Sequence, residues 1–351
     1  MADLIKKIKV KKQDGTFTDY IPIGAEAKNV STEDGDSVQL KLNKKPYYYD
    51  TVADMKADTK LKAGDMAVTL GYYEANDGGG AEYCIVSGVH TDDGLHQKLT
   101  NNLFAELIIN NKEINILQVG GKADNSSDIG ELINYYTLNY NIFLPNGRYK
   151  VSTSISLHND LRGTAYPRCG GSNAKYAWLV DNLQSGAVVL ISNSGNSIIN
   201  VSNFGIECDG SDYGIKYDPV TYECCYIHHI FIKNLSKTGI ACLSTNRSVS
   251  RGCYVDTVCI FGKAYQQSIG IINNNADSYY TNIEIMGTQI GIRSVNDLRL
   301  SDAHIWCGSM SGHDQDEWWY STRGIICQND AIINNLYLDT CFCPIVSERK
   351  S

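Results

Sequence analysis

Acidic residues are concentrated in one short stretch of the sequence, GIECDGSDYG, at residues 205–214. Side chains two residues apart on a β-strand share a face and lie about 6.6 Å apart, which predicts that Glu207 and Asp209 point the same way. Asp212 follows across a glycine turn. Two carboxyl groups at such a separation can divide the roles of acid and base between them. The alternative is that these carboxylates cap turns, because Asp and Gly are ordinary turn residues.

A second stretch, RLSDAHIW at residues 299–306, combines a carboxylate with an imidazole and an indole. If it forms a strand, Asp302 and His304 share a face and Trp306 continues that face. We take Asp302 as a further candidate catalytic residue. His304 and Trp306 are candidate substrate-binding residues. The candidate catalytic residues are Glu207, Asp209, Asp212 and Asp302.

A third stretch, GHDQDEWWY at residues 312–320, is acidic and contains two adjacent tryptophans. Tryptophan is enriched at binding surfaces because it has an apolar body and a polar N–H group. We therefore take Trp318 and Trp319 as candidate ligand contacts, together with Asp316 and Glu317. The alternative is a solvated acidic loop that also includes Asp314.

Only one segment near these stretches has helical periodicity. Ile129, Leu132, Ile133 and Tyr136 follow the i, i+3, i+4, i+7 spacing of an amphipathic helix, which predicts a helix over 129–139. The pair Asp128 and Glu131 resembles a capping box at its start. The rest of the chain up to its last residues consists of short β-type runs.

Those runs contain a repeated Gly-Ile pair at irregular spacing, with Asn-rich or Ser-rich turns between the copies. Short repeats of two or three strands each predict the coils of a β-solenoid, whereas a propeller needs a steadier period. The repeated glycines are Gly205, Gly214, Gly239, Gly270, Gly291 and Gly324.

The stretch NIFLPNGRYKVSTSISL predicts the first full coil of this solenoid. We expect a strand at residues 142–144, a corner at Pro145, Asn146 and Gly147, and a strand over 148–157. The exposed edge of a first coil invites aggregation, so the helix predicted over 129–139 would cover it.

The composition excludes several classes of protein. The chain has 351 residues, 43% of them hydrophobic, and a net charge of −8, which is typical of a folded globular protein and unfavourable for nucleic acid or anionic membranes. We find no run long enough to span a membrane and no signal peptide, so we expect synthesis in a cytoplasm without membrane insertion. No cofactor is predicted.

Twelve cysteines sit singly among apolar residues, which predicts buried free thiols. Cys224, Cys225, His228 and His229 suggest a metal site, but neighbouring residues on a strand point to opposite faces and cannot chelate as a pair. No metal site is therefore predicted.

The N-terminal third divides into two parts. Residues 1–46 alternate charged and β-branched residues around Asp14 and Gly15, which predicts a β-hairpin arm that packs on a partner, or alternatively a loose terminus. Residues 47–112 predict a small mixed module, with a short helix capped by Thr51 and strands at MAVTL and AEYCIV. Residues 113–351 form the predicted solenoid domain.

Two of these segments resemble a known family. INILQVGGKADNSSDIGELINYY followed by IFLPNGRYKVSTSISL resembles the opening of the right-handed parallel β-helix in the pectate-lyase superfamily. YDTVADMKA with LKAGDMAVTLGYYEANDGGGAEYCI resembles the module before that β-helix in bacteriophage and prophage tailspikes. The Asp-rich loop is only partly kept at residues 123–128, and no separate C-terminal trimerisation domain is visible after the last coil.

The resemblance implies an all-β, virion-tail protein that assembles in the host cytoplasm as a homotrimer. Its implied ligand is a bacterial surface glycan, and its N-terminal arm would attach to other tail or baseplate proteins. Glycoside hydrolysis requires two carboxyl groups about 5 to 9.5 Å apart, which the candidate residues would supply.

Three functions remain open at this stage. The first is a tailspike that binds and depolymerises a surface polysaccharide, and the second is a non-catalytic receptor-binding or structural appendage. The third is a polysaccharide lyase, which needs a calcium-binding Asp cluster and a base such as Arg293 or Arg299; no dense cluster supports it. Carboxyl groups that face each other in an aromatic groove favour an enzyme, and scattered ones favour a binder.

Overall fold

The structure is a computed structural model that describes residues 7–11, 17–22, 46–168, 175–192, 198–219, 224–243, 252–263, 267–307 and 319–348. The chain forms two compact units. The first contains residues 1–76 and 80–108, and the second contains 77–79 and 109–351. The three-part division expected from the sequence stays a prediction. None of the helices in these ranges is long and apolar enough to cross a membrane.

The first unit begins with two strands, β1 (Lys7–Lys11) and β2 (Phe17–Pro22), which pair antiparallel as expected for a hairpin. The predicted turn at Asp14 and Gly15 lies outside the described residues.

The rest of the first unit is a small mixed module. The helix α1 (Val52–Ala57) begins after Thr51, whose hydroxyl accepts a hydrogen bond from the backbone amide of Asp54, while the Asp54 carboxylate accepts one from the backbone amide of Thr51. This confirms the cap at Thr51. Its five-stranded sheet has the order β3-β4-β5-β7-β6, and its strands are β3 (Tyr47–Tyr49), β4 (Met66–Thr69), β5 (Ala81–Val86), β6 (His96–Lys98) and β7 (Phe104–Leu107).

The second unit is a parallel β-helix, as expected. One of its sheets stacks a strand from each successive coil in the order β26-β24-β22-β20-β18-β16-β13-β10-β8, with β9, β11 and β14 alongside. Its strands are β8 (Glu113–Asn115), β9 (Asp124–Asp128), β10 (Asn141–Leu144), β11 (Gly147–Val151), β13 (Leu161–Gly163), β14 (Ala177–Asp181), β16 (Ile198–Glu207), β18 (Cys224–Leu235), β20 (Cys253–Gly262), β22 (Tyr279–Met286), β24 (Leu298–Trp306) and β26 (Ala331–Asp339).

The second sheet has the order β12-β15-β17-β19-β21-β23-β25-β27, and every pair in it is parallel. Parallel stacking of consecutive coils is what the short repeats predicted. The strands are β12 (Ile155–Ser156), β15 (Ala187–Ile191), β17 (Tyr213–Tyr217), β19 (Thr238–Leu243), β21 (Ile269–Asn274), β23 (Ile290–Ser294), β25 (Arg323–Cys327) and β27 (Cys343–Ser347).

The Gly-Ile repeat builds the core of this second sheet. Five of the isoleucines stack in register and are fully buried. A Cβ on Gly239 would lie only 2.7 Å from the carbonyl oxygen of Gly270, so a larger residue does not fit. Gly205 differs because it lies on β16, under the ring of Trp178. The stacked isoleucines are Ile215, Ile240, Ile271, Ile292 and Ile325.

The six long strands of the first sheet share a bend. In each, one residue in the middle adopts a positive φ, and these residues occupy matching positions on neighbouring coils. A single left-handed residue interrupts the alternation of side chains, so each strand presents one outward face before the bend and another after it. The bend residues are Asn203, His229, Thr257, Asn282, Asp302 and Asn335.

The predicted helix is shorter than expected and is capped differently. It is α2 (Gly130–Tyr136), and it begins after Ile129 without a side-chain cap. The prediction of a capping box formed by Asp128 and Glu131 is wrong. The Asp128 carboxylate instead accepts hydrogen bonds from the backbone amides of Gly130, Ser152 and Thr153. Its role as a cover for the first coil stays a prediction.

The first coil follows the expected path with one change. The strand expected at 142–144 is β10, whereas the strand expected over 148–157 is divided into β11 and β12. The cysteines within the described ranges are free thiols, as expected. Most of them are buried, but Cys84, Cys224, Cys341 and Cys343 are half-buried, so the expectation of burial is wrong for these four.

Candidate functional site

Glu207 lies at the end of β16 and is held by two cations from other coils. The guanidinium of Arg148 donates two hydrogen bonds to the carboxylate, at 2.8 and 2.6 Å, and the ammonium of Lys233 lies 2.8 Å from Oε1. Burial by itself raises the pKa of Glu207, but these hydrogen bonds outweigh it and lower the pKa below its usual value. A carboxyl group in this state stays ionised and is a poor general acid.

Asp209 and Asp212 also form ion pairs, each with a different lysine. Strand β16 ends at Glu207, so the expectation that Glu207 and Asp209 share a strand face is wrong. Asp209 contacts Lys263, and Asp212 lies 2.8 Å from Lys237. The hydrogen bonds from Lys237 and from the Gly186 amide lower the pKa of Asp212.

Asp302 occupies the bend of β24, with a φ of 55°. Its carboxylate accepts a hydrogen bond of 2.5 Å from the side-chain amide of Asn335, the bend residue of the next coil. The structure therefore places Asp302 at the bend and separates it from the straight segment that follows. His304 and Trp306 lie on that segment and share its outward face, as the strand pattern predicted.

The outward face after the bend carries a group of side chains that we call the aromatic strip. His304 pairs in register with Glu284 on one side and Tyr337 on the other. Trp306 pairs in the same way with Met286 and Asp339. The strip consists of Glu284, Met286, His304, Trp306, Tyr337 and Asp339.

The strip is partly open to solvent. The rings of His304 and Tyr337 stack with their centroids 4.8 Å apart, and Tyr337 is 61% exposed. His304 and Trp306 are half-buried, so their rings still reach the surface. Rings with this exposure can pack against the apolar face of a ligand while the neighbouring carboxylates accept its hydrogen bonds.

Two ring nitrogens of the strip are buried without a hydrogen-bond partner in the described part of the chain. These are Nε2 of His304 and Nε1 of Trp306. A buried polar atom without a partner costs about 1 to 3 kcal/mol, so a water or ligand hydroxyl that reached either atom would be stabilised there.

The same face is closed on the earlier coils. Trp178, Phe231 and Cys259 are buried there, and Tyr166, Tyr176 and Phe261 pack against them. Lys233 lies above the Trp178 ring, 4.1 Å from its centroid. A ligand can therefore reach this face on its later coils, where the strip lies.

The outward face before the bend carries a tyrosine ladder. Tyr254 stacks on Tyr226 at 4.8 Å and on Tyr279 at 5.3 Å between centroids, with the rings nearly parallel. Arg299 covers the free side of Tyr279, 5.0 Å from its centroid. Because the ring faces contact one another, the ladder exposes mainly ring edges and is a poorer platform than the strip.

The two adjacent histidines do approach each other, contrary to the expected strand alternation. His229 is a bend residue, and this brings its Nδ1 to 2.9 Å from Nδ1 of His228. Burial and the neighbouring His229 lower the pKa of His228. Among the residues that the structure describes, no group of three or more His, Cys, Asp or Glu side chains is placed to hold a metal ion.

Most of the third candidate stretch, residues 312–320, lies outside the described residues. Asp314, Asp316, Glu317 and Trp318 lie outside the described residues. Trp319 begins a 3-10 helix, Trp319–Ser321, and its side chain lies outside the description as well. These residues stay predicted contacts.

The sequence analysis missed four members of the strip: Glu284, Met286, Tyr337 and Asp339. The local signal was present in β22 and β26, where these residues alternate with buried or half-buried apolar ones. Which of them neighbours His304 depends on the length of the intervening coils, and local sequence does not give that.

Fold and strip together define a parallel β-helix protein with an aromatic surface strip. Solved structures to which the chain is similar include phage tailspikes. One is the tailspike gp49 of the Acinetobacter baumannii phage Fri1, a capsular polysaccharide depolymerase, with 15% identity over 83% of this chain and 69% of that chain and a TM-score of 0.45. The enzymatically active domain of tailspike protein 2 from phage CBA120 has 13% identity over 85% of this chain and 53% of that chain, with a TM-score of 0.45.

A third similar structure is WceF from Pantoea stewartii, a glycan biofilm modifying enzyme with a tailspike-like parallel β-helix. It has 11% identity over 96% of this chain and 52% of that chain, with a TM-score of 0.44. This chain thus spans about half the length of two of these proteins. No family model matches the sequence, and no curated protein matches it.

Proposed function

We propose that this chain is a tailspike-type receptor-binding protein of a phage or prophage, and that it recognises a bacterial surface polysaccharide through the aromatic strip. The observation that carries the proposal is the pair of half-buried rings of His304 and Trp306, which are flanked in register by carboxylates on neighbouring coils. Sugars offer an apolar ring face and many hydroxyls, which such a surface complements. The motifs shared with the tailspike module and the first β-helix coil support the same class.

Recognition is better supported than cleavage. Hydrolysis requires one carboxyl group that is protonated and a second that is free to act as base or nucleophile. Glu207, Asp209 and Asp212 each contact a cation, and Asp302 accepts a hydrogen bond from Asn335. We therefore assign these four carboxylates to contacts between coils. Release of new reducing ends from a bound polysaccharide would reveal depolymerisation by other residues.

The proposal includes an assembled form. As in the tailspike plan, three copies would form a homotrimer in the virion tail, and residues 1–46 would attach it to other tail or baseplate proteins. Light scattering after size exclusion measures the mass of the purified chain. A trimer supports this form, and a monomer at all concentrations contradicts it.

The function is tested with polysaccharides purified from a panel of bacterial strains. We expect the full chain to bind at least one of them, and Trp306→Ala to weaken that binding about tenfold or more. Tyr279→Ala is the matched control, because it removes an exposed aromatic ring from the other face. Equal binding by the wild type and Trp306→Ala contradicts the assignment to the strip.

A further inference from the structure

The coil formed by β26 and β27 is less covered than the coils before it. Among the residues that the structure describes, β26 pairs only with β24 and β27 pairs only with β25. Ile345 continues the register of the buried isoleucines from Ile325 but is 56% exposed, and Ile332 is 62% exposed. Segments with few buried contacts open locally at a low cost in free energy. Because β26 also carries Tyr337 and Asp339, the later edge of the aromatic strip depends on how firmly this coil is held.

Two cysteines lie where this coil meets the preceding one. Cys307 directly follows Trp306 at the end of β24, and Cys341 comes two positions after Asp339, the last residue of β26. Trp306 and Asp339 are in register, and neighbouring strands about 4.8 Å apart satisfy the Cα separation of about 4.4 to 6.8 Å that a disulfide requires. Sγ of Cys341 lies 3.9 Å from the carbonyl oxygen of Ile305, and the two sulfurs contact each other. The two thiols thus already meet at the edge of the strip.

The two thiols differ in exposure. Cys307 is buried, and its thiol donates a hydrogen bond of 3.2 Å to the carbonyl oxygen of Arg323. Cys341 is half-buried, so a small reagent reaches its sulfur first. Contact with the Cys307 thiol lowers the pKa of Cys341, although burial opposes this. Because the thiolate is the reactive form of cysteine, Cys341 is suited to attack a reagent and Cys307 to resolve the product.

We propose that Cys307 and Cys341 form a disulfide in oxidising surroundings, and that this bond clamps the coil of β26 and β27 onto β24. The oxidant is a small-molecule disulfide. The Cys341 thiolate attacks one of its sulfurs and releases one small thiol; Cys307 then attacks the Cys341 sulfur and releases the second. The two protein thiols are thereby oxidised, and the reagent is reduced to two thiols. This inference goes beyond the proposed function, and its test needs no polysaccharide.

The experiment compares the full chain after reduction with a phosphine and after incubation with oxidised glutathione, a small-molecule disulfide. Free thiols are blocked, and digestion followed by mass spectrometry without reduction identifies which cysteines are joined. Amide hydrogen exchange then measures how often β26 opens. We expect a linkage between Cys307 and Cys341, and exchange in β26 that is slower by about tenfold or more in the oxidised chain.

Cys341→Ser removes the attacking sulfur, so it should abolish both the linkage and the change in exchange. Cys343→Ser is the matched control, because it removes another half-buried thiol of the same coil and should leave both results unchanged. In the wild type, a Cys341 that stays free, keeps a glutathione attached or joins Cys343 overturns the disulfide. Formation of the linkage without slower exchange in β26 overturns the clamp.

Discussion

Two acidic regions of the β-helix differ in what surrounds their carboxylates. At the corner after β16, Glu207, Asp209 and Asp212 each contact a lysine or arginine. On the later coils, Glu284 and Asp339 lie one strand away from the half-buried rings of His304 and Trp306. Carboxylates thus pair with lysine and arginine between coils in one region and border an aromatic surface in the other. A cluster of Asp and Glu residues in a sequence does not distinguish these two roles, because the side chains that contact each carboxylate come from other coils.

The largest expected effect is a loss of stability in the first region. Glu207→Ala leaves Arg148 and Lys233 without their shared carboxylate in a half-buried position, so we expect a loss of about 2 to 3 kcal/mol. Urea unfolding of the wild type and variant measures it, with Glu131→Ala as a control at an exposed position. A change below about 0.5 kcal/mol would show that the cluster is no more than a surface contact.

The pH dependence of stability should follow from the same carboxylate. Because the pKa of Glu207 is lower in the folded chain than its usual value, its stabilisation is complete above the ordinary pKa of about 4.3. That stabilisation is lost as the pH falls through the folded pKa. Glu207→Gln should be less stable than the wild type at neutral pH and should lose less on acidification below pH about 4.5. Parallel pH profiles for the two proteins would contradict this assignment.

A substitution in the second region, the aromatic strip, should weaken glycan binding. Trp306→Ala should cost about 1.5 to 2 kcal/mol of glycan affinity, roughly 10- to 30-fold, because buried aromatic contacts dominate such interfaces. Glu207→Gln should leave affinity unchanged wherever the variant is folded. Titration of both variants with one bound polysaccharide measures the contrast. Equal losses would remove the distinction between the two regions.

The sequence predicts the fold of the β-helix more completely than it predicts the candidate site. The Gly-Ile repeat predicted the coils because, in the second sheet, every glycine of the repeat faces a backbone carbonyl where no Cβ fits and its isoleucine is buried in register with the next one. The alternation in β24 likewise placed His304 and Trp306 together. Both signals are local, so the sequence carries them directly.

The rest depends on non-local contacts. Arg148 lies 59 residues before Glu207, and no local pattern pairs them. The bend residues combine Asn with His, Thr and Asp, so they form no obvious motif, although Asn203, Asn282 and Asn335 follow the known preference of Asn for left-handed backbone. Because the coils differ in length, the bend residues follow one another at irregular intervals along the sequence.

The bend that separates the two outward faces is tested at Thr257. A β-branched residue is strained at a positive φ, here 52°, whereas asparagine tolerates it. Thr257→Asn should therefore stabilise the chain by about 0.5 to 1 kcal/mol, and Asn282→Thr on the next coil should destabilise it by a similar amount. Thermal unfolding measures both. Destabilisation by Thr257→Asn would contradict the role of the bend.

The smallest effect is expected at Asp212. Its carboxylate is 41% exposed beside Lys237, and exposed ion pairs contribute little. Asp212→Asn should change stability by less than about 0.5 kcal/mol in the same unfolding measurement. A larger loss would mean that the exposed corner joins the coils as strongly as Glu207.

The central claim is that the strip binds a polysaccharide while the corner carboxylates hold the coils together. The most direct measurement incubates the full chain with a polysaccharide that it binds and follows both retention and the release of new reducing ends. We expect retention that Trp306→Ala weakens, without reducing ends that depend on Glu207. Release of reducing ends that is abolished in a folded Glu207→Gln variant would contradict the account, because it would make Glu207 a catalytic residue.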